Sequence, residues 1–274
     1  MKETILFLST PLATGILLAG MLGYFGTHIL SRGIIFIDIA LTQIAALGML
    51  TGLLLGFAEE SPGIQLLSYG FTLIIAGSFA FLNREKLFIP LEAVIGIVYC
   101  IGLALALFLT EFLPGGSNYI TKTISGNLLW VTWQKVLNLA LLLAGVGVLH
   151  GFLGKRYQQL SDRLGHGTDF KVMDRLVNLA FYGSFGIIVV KAVMIGGIFL
   201  VFTLLIAPAV ASGLYFKSWK SRLAWSWIIG SLGTIAGLLL SYTLNLSNGP
   251  VIVCLLGFLV FALAFLKLYK TAVR

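Results

Sequence analysis

The chain has 274 residues, 59% hydrophobic and only 10% charged, with a mean hydropathy of +1.03 and a formal net charge of +8. Soluble domains carry roughly 25% charged residues, so this composition excludes one; repeated apolar runs of roughly 20 residues point instead to a polytopic membrane protein. The positive excess reads as a topology signal rather than a nucleic-acid surface, and the lone cysteines Cys100 and Cys254, each within an apolar run, read as small core hydrophobes and not as a disulfide framework or metal site.

The apolar runs are continuous rather than alternating, which selects helices over a closed barrel. Spans are predicted at 5–29, 34–57, 64–82, 89–112, 134–154, 175–192, 194–215, 224–244 and 250–268. The expected fold class is therefore all-α, a polytopic helical bundle of eight or nine transmembrane helices, with 1–274 as a single transmembrane domain. The first run has no small-x-small cleavage site and reads as a permanent helix. Stretch 114–133 is too polar at its start to span and reads as a loop with a short interfacial helix, anchored by Trp130 and Trp133. Between the sixth and seventh spans lies only "VKAVMIGG", Val190 to Gly197; if this is a kink rather than a turn, the count is eight. Lys191 in that stretch would be costly in mid-span unless it snorkels or pairs.

With the C-terminus placed in the cytoplasm and the nine spans alternating, 14 of the 18 Lys and Arg residues fall inside and 4 outside. This satisfies the positive-inside rule and puts the N-terminus outside. The many glycines, as in "GSLGTIAG", favour close helix approach where lipid gives no hydrophobic drive.

Two acidic residues stand out within the spans. Asp38 shares a helix face with Thr42 at i+4, and Gln43 is turned about 100° further. Such a carboxylate reads first as part of a pathway, relay or ligand set. Asp38 can equally be a structural carboxylate bonded to another helix. Glu92, just after Pro90, can be an acid of the first turn favoured by the helix dipole. His28 and His150 read as helix-end residues, and none of the three histidines, His166 included, has metal-motif spacing.

The chain carries no GxSxG, HExxH or P-loop lysine motif, so it is not expected to be an enzyme. Energy for transport must come from an ion gradient or another subunit. Two basic joints are candidate docking surfaces for a cytoplasmic motor, with solvated loops as the plainer reading. One follows Pro208 and includes Ser212, Gly213, Lys217 and Lys220; the other, 155–175, includes Asp162, Arg163 and Gly165.

The ordered stretches "SRGIIFIDIALTQIAALG", "PLEAVIGIVYCIGLALALFL", "ISGNLLWVTWQKV", "VMIGGIFLVFTLLIAPAVAS" and, more weakly, "SNGPVIVCLLGFLVFAL" resemble the permease subunits of bacterial metal-type ABC importers, those for manganese, zinc or iron. The resemblance covers nearly the whole chain. It implies a type II importer permease fold, a homodimer in the cytoplasmic membrane, a cytoplasmic ATP-binding subunit and an extracytoplasmic metal-binding protein. It implies no permanent cofactor, with the divalent metal as substrate and ATP on the partner. Asp38 matches the family's path aspartate. The family's path histidine falls on Thr42 or Gln43, so a nitrogen donor is replaced by oxygen donors, which suit harder ions such as manganese better than zinc, or a path that only repels and guides. The translocation path is then expected at Asp38, Thr42, Gln43 and Glu92. The rival expectation is an ion-gradient-driven secondary transporter.

Overall fold

The computed structural model describes residues 2–59, 61–82, 89–126, 128–165 and 172–272. The polar joint between the third and fourth predicted spans (83–86), His166, and the 166–171 part of the second basic joint lie outside the described residues. The helices are α1 (Lys2–Arg32), α2 (Ile37–Leu54), α3 (Pro62–Phe81), α4 (Leu91–Thr110), α5 (Gly116–Ser125), α6 (Trp133–Gly165), α7 (Val172–Tyr215), α8 (Trp219–Leu244) and α9 (Asn248–Ala272), with a 3-10 turn at Leu128–Trp130. Among the described residues, eight of these are long and apolar enough to cross a membrane. The short α5 falls where an interfacial helix is expected, and Trp130 and Trp133 are exposed.

The main departures from the sequence reading concern helix ends. α6 does not stop at 154 but runs on to Gly165, so the first part of the second basic joint is helical. α7 runs through Lys191 and Pro208, with 44 residues, and its break is at Gly197 (φ 75°, ψ 168°). At 1.5 Å per residue a straight helix of that length would be about 66 Å, more than twice the ~30 Å hydrocarbon layer, so this break divides what cannot be one straight crossing. Lys191 therefore lies before the break, within regular helix.

The chain forms two compact units. One comprises Met1–Leu30, Ser125–Gly147 and Ile195–Arg274. In it α1 meets the second half of α7 at Gly26, where an added Cβ would strike the Leu205 carbonyl. The Gly197 break sits against the backbone of Gly126: a Cβ at Gly197 would lie 2.7 Å from Gly126 Cα, and Gly126 itself has φ 69°. Both positions require glycine, for backbone conformation and for space. α8 packs on α9 after a turn closed by left-handed Asn245 and by Ser241 Oγ donating to the Leu246 carbonyl at 2.6 Å.

The other unit comprises Ser31–Ile124 and Val148–Met194. Here α2 is the central helix, packed against α3 and α4, with 13 of its 18 residues buried. Gly48 lets α2 approach α3 so closely that a Cβ would be 2.7 Å from Ser68 Cα. α3 starts cleanly because Ser61 caps Ile64 N–H at 3.4 Å and Pro62 opens the helix.

Cys100 and Cys254 are free, as expected, but they are exposed on their helices rather than buried. On a spanning helix that face meets an apolar surrounding too, so the thiol's hydrophobicity suits either side. His150 is not at a helix end, because α6 continues past it. It is buried, stacked on Tyr157 at 4.4 Å, and within 2.7 Å of Ser184 Oγ.

Candidate functional site

The site is built on the turn between α1 and α2. Helix α1 ends at Arg32, and Gly33 adopts φ 64°, the left-handed C-terminal cap that glycine supplies without strain. α2 then opens at Ile37. This turn is pinned at both ends. At its start, Arg32 is fully buried; its Nε donates to Ser161 Oγ at 3.0 Å on α6, and its Nη1 to Asn178 Oδ1 at 2.7 Å on α7. The guanidinium lies 3.7 Å above the centroid of the Phe181 ring, a cation–π contact strengthened by desolvation. Asn178 in turn donates to the Ala80 carbonyl at 3.0 Å. That carbonyl is in the last turn of α3, where no helical N–H is available to it. One arginine thus ties the entry of α2 to α3, α6 and α7.

Nearer α2, the backbone N–H of Ile35 donates to Glu92 Oε1 at 3.3 Å. Glu92 is in the first turn of α4, so its carboxylate is engaged in holding the turn. Both anchors fix where α2 starts, and hence where Asp38 lies.

Asp38 is fully buried, and neither carboxylate oxygen has a hydrogen-bond partner. The reading of Asp38 as a structural carboxylate bonded to another helix finds no such bond among the described residues. Thr42, one turn on, is also fully buried and donates to the Ile39 carbonyl at 2.8 Å. Gln43 is 7% exposed and turned toward α4, where a Cβ on Gly102 would lie 3.2 Å from Gln43 Cβ. The structure therefore puts Asp38 and Thr42 on one buried face, Gln43 on the α4 side, and Glu92 at the helix entry. Among the described residues no three His, Cys, Asp or Glu side chains converge. The arrangement gathers one buried carboxylate and neutral oxygens rather than a closed coordination cage.

Arg32 and Asn178 were not foreseen as site residues. The available signals were an arginine directly before a glycine turn and an asparagine at the start of a long apolar run.

The two basic joints belong to different compact units. In the first, Pro208 and the buried Ser212 lie inside α7, so Pro208 does not end the helix. Ser212 Oγ is satisfied by the Ala209 carbonyl at 3.0 Å. Gly213, Lys217 and Lys220 are exposed, and Lys220 is in the first turn of α8, whose start is capped by Ser218. Tyr215 and Lys267 bond α9 to the end of α7, through the Leu263 and Leu214 carbonyls respectively. In the second, Asp162 is exposed, Gly165 ends α6, and Arg163 makes a two-pronged bond to Asp174 on α7 at 2.9 and 3.1 Å. This pair closes the base of the α6–α7 connection.

Long apolar helices, a buried carboxylate on one of them and exposed basic joints together fit a polytopic membrane protein. Comparison with known proteins gives its relationship: residues 4–267 match the ABC 3 transport family, and the chain belongs to that family. Among its relatives, the manganese transport system membrane protein MntC of Listeria monocytogenes is 24% identical over 95% of this chain and 90% of its own length. The manganese transport system membrane protein MntB of Synechocystis is 26% identical over 75% of this chain and 66% of that protein. Among solved structures, PsaBC from Streptococcus pneumoniae in complex with Fab has a chain that superposes with TM-score 0.74 at 22% identity, covering 94% of this chain and 90% of that one. The ABC-permease resemblance read from the ordered motifs is borne out, as is the all-helical polytopic fold. Nothing in these relationships supports the ion-gradient alternative.

Proposed function

We propose that this chain is the permease of an ATP-driven importer that moves divalent metal ions, manganese foremost, across the bacterial cytoplasmic membrane. The observation that carries this reading is Asp38, a fully buried, unpartnered carboxylate on a membrane helix of an ABC-family permease. An unpaired carboxylate there is expensive, and a cation that passes it offsets the cost transiently. The surrounding donors are oxygens, from Thr42 and Gln43, which suits a hard ion. The manganese names of the relatives agree with this choice.

In this reading a second copy of the chain completes the path across a dimer axis. ATP is hydrolysed by a separate cytoplasmic subunit, and an extracytoplasmic binding protein delivers the metal. The joint after Pro208, with Ser212, Gly213, Lys217 and Lys220, is the first choice for docking the ATPase; Asp162, Arg163 and Gly165 form the second. The N-terminus lies outside and the C-terminus in the cytoplasm, as the 14-to-4 distribution of basic residues favours.

The test is uptake of radiolabelled manganese, zinc and iron by proteoliposomes holding the chain with its ATPase and binding protein. ATP-dependent uptake with manganese preferred is expected. An assembled complex that hydrolyses ATP yet moves none of the three metals would overturn the reading.

A further inference from the structure

Of the two basic joints, the one at the end of α6 lies in the same compact unit as Asp38. A short chain of contacts joins them, partly exposed at Arg163 and Asp174 and buried at Ser161, Asn178 and Arg32. Arg163 and Asp174 clamp α6 to α7 at the joint. Ser161, two residues before Arg163, and Asn178, four residues after Asp174, both bond the Arg32 guanidinium, at 3.0 and 2.7 Å. From Arg32 the backbone passes through the Gly33 turn directly into α2 and Asp38. Every side-chain step between the joint and the turn is a hydrogen bond or ion pair of 3.1 Å or less. The guanidinium's planar fork, with the Phe181 ring beneath it, fixes its direction as a lysine would not.

We infer that Arg32 is a positioning residue for transport: it carries displacement of the α6–α7 joint to the entry of α2 and so resets Asp38 between access to one side and the other. The inference rests on the proposed function, with the ATPase engaging the second of its two docking joints, at Asp162, Arg163 and Gly165. The physical warrant is rigidity. A buried, multiply bonded arginine between helices has a defined geometry, so moving Ser161 and Asn178 together moves the turn that follows Arg32. The Glu92 bond to Ile35 N–H supplies the opposing anchor on α4, against which the turn would pivot.

The experiment compares Arg32→Lys, Asn178→Ala, Asn178→Asp and Ser161→Ala with wild type, in proteoliposomes with the ATPase and binding protein and radiolabelled manganese. Uptake and ATP hydrolysis are both measured per assembled complex. Arg32→Lys and Asn178→Ala are expected to lower the metal moved per ATP by about tenfold, a coupling loss of the size such networks carry. Asn178→Asp still accepts from Arg32 but loses the bond to the Ala80 carbonyl, and is expected to lower the ratio less than Asn178→Ala does. Ser161→Ala removes one bond and leaves little space, so it serves where Arg32→Lys does not assemble; a lowered ratio supports the relay. A merely structural arginine would reduce the yield of complex and leave metal per ATP unchanged, and that result overturns the inference. Absence of ATP-dependent uptake by wild type would instead remove the importer reading on which the relay depends.

Discussion

Asp38 combines zero exposure with two unbonded carboxylate oxygens. A group left in that state costs roughly 1–3 kcal/mol, more if charged. Replacing it should therefore stabilise the protein while harming transport, the opposite of the usual pairing. Asp38→Asn is expected to raise the melting temperature of the purified complex by about 2–4 °C, measured by differential scanning fluorimetry. A fall in melting temperature would mean that the carboxylate has a stabilising partner. Glu92 behaves differently, because its oxygen accepts from Ile35 N–H. Glu92→Gln retains an acceptor and should remain near wild type in uptake and stability. Glu92→Ala orphans the N–H and should cost about 1–2 kcal/mol in denaturant titration. The face shared by Asp38 and Thr42 was legible from their spacing alone, since i and i+4 meet on any helix. The role of Arg32 was not, because its partners Ser161 and Asn178 lie 129 and 146 residues away in the chain. Local pattern carries no record of such contacts.

Along the elements, the break in α7 is the feature most exposed to test. Gly197 needs φ 75°, and a Cβ there would press on Gly126. Gly197→Ala should cost at least about 2 kcal/mol, from backbone strain and overpacking together, and should sharply lower the yield of folded protein. Gly145 on α6 has open space around it, so Gly145→Ala should be neutral or stabilising by up to about 1 kcal/mol. Equal effects from the two substitutions, judged by thermal denaturation, would contradict the packing seen at the break. The paired glycines pointed to an interruption within 190–197, and the break falls at the second of them, Gly197, with helix on both sides. α6 outran its expected end for a related reason: its last turns are polar outside, yet Tyr157, Leu160 and Ser161 are buried and keep the helix packed. Between α2 and α3, Glu59 is held below its ordinary acid range by its bond to Lys122 at 2.7 Å. A depressed carboxyl contributes stability above its unfolded value and loses it as pH falls through the folded one. Glu59→Gln should therefore lower stability slightly at neutral pH, by no more than about 1 kcal/mol for so exposed a pair, and have no effect once both states are protonated. Thermal melts of the two proteins across acidic and neutral pH check the sign.

At the scale of the whole molecule, the sequence carried the class of fold well, because bilayer thickness and backbone satisfaction leave an apolar chain few options. The ordered motifs carried the family, and residues 4–267 match it. The division into two compact units was not legible, since both are assembled from separated segments of the chain. If the C-terminus is cytoplasmic, a phosphatase reporter fused after Arg274 should be inactive, whereas one that folds only in the cytoplasm should be active; the reverse would contradict the charge argument. The central claim is that a divalent metal passes Asp38 at the expense of ATP hydrolysed elsewhere. Its most direct test is ATP-dependent uptake of radiolabelled manganese by the reconstituted complex, wild type beside Asp38→Asn, at matched amounts of assembled protein. The account predicts uptake by wild type and a loss of at least about tenfold in the variant, with ATP hydrolysis by the partner persisting. Equal uptake by the two proteins would contradict it.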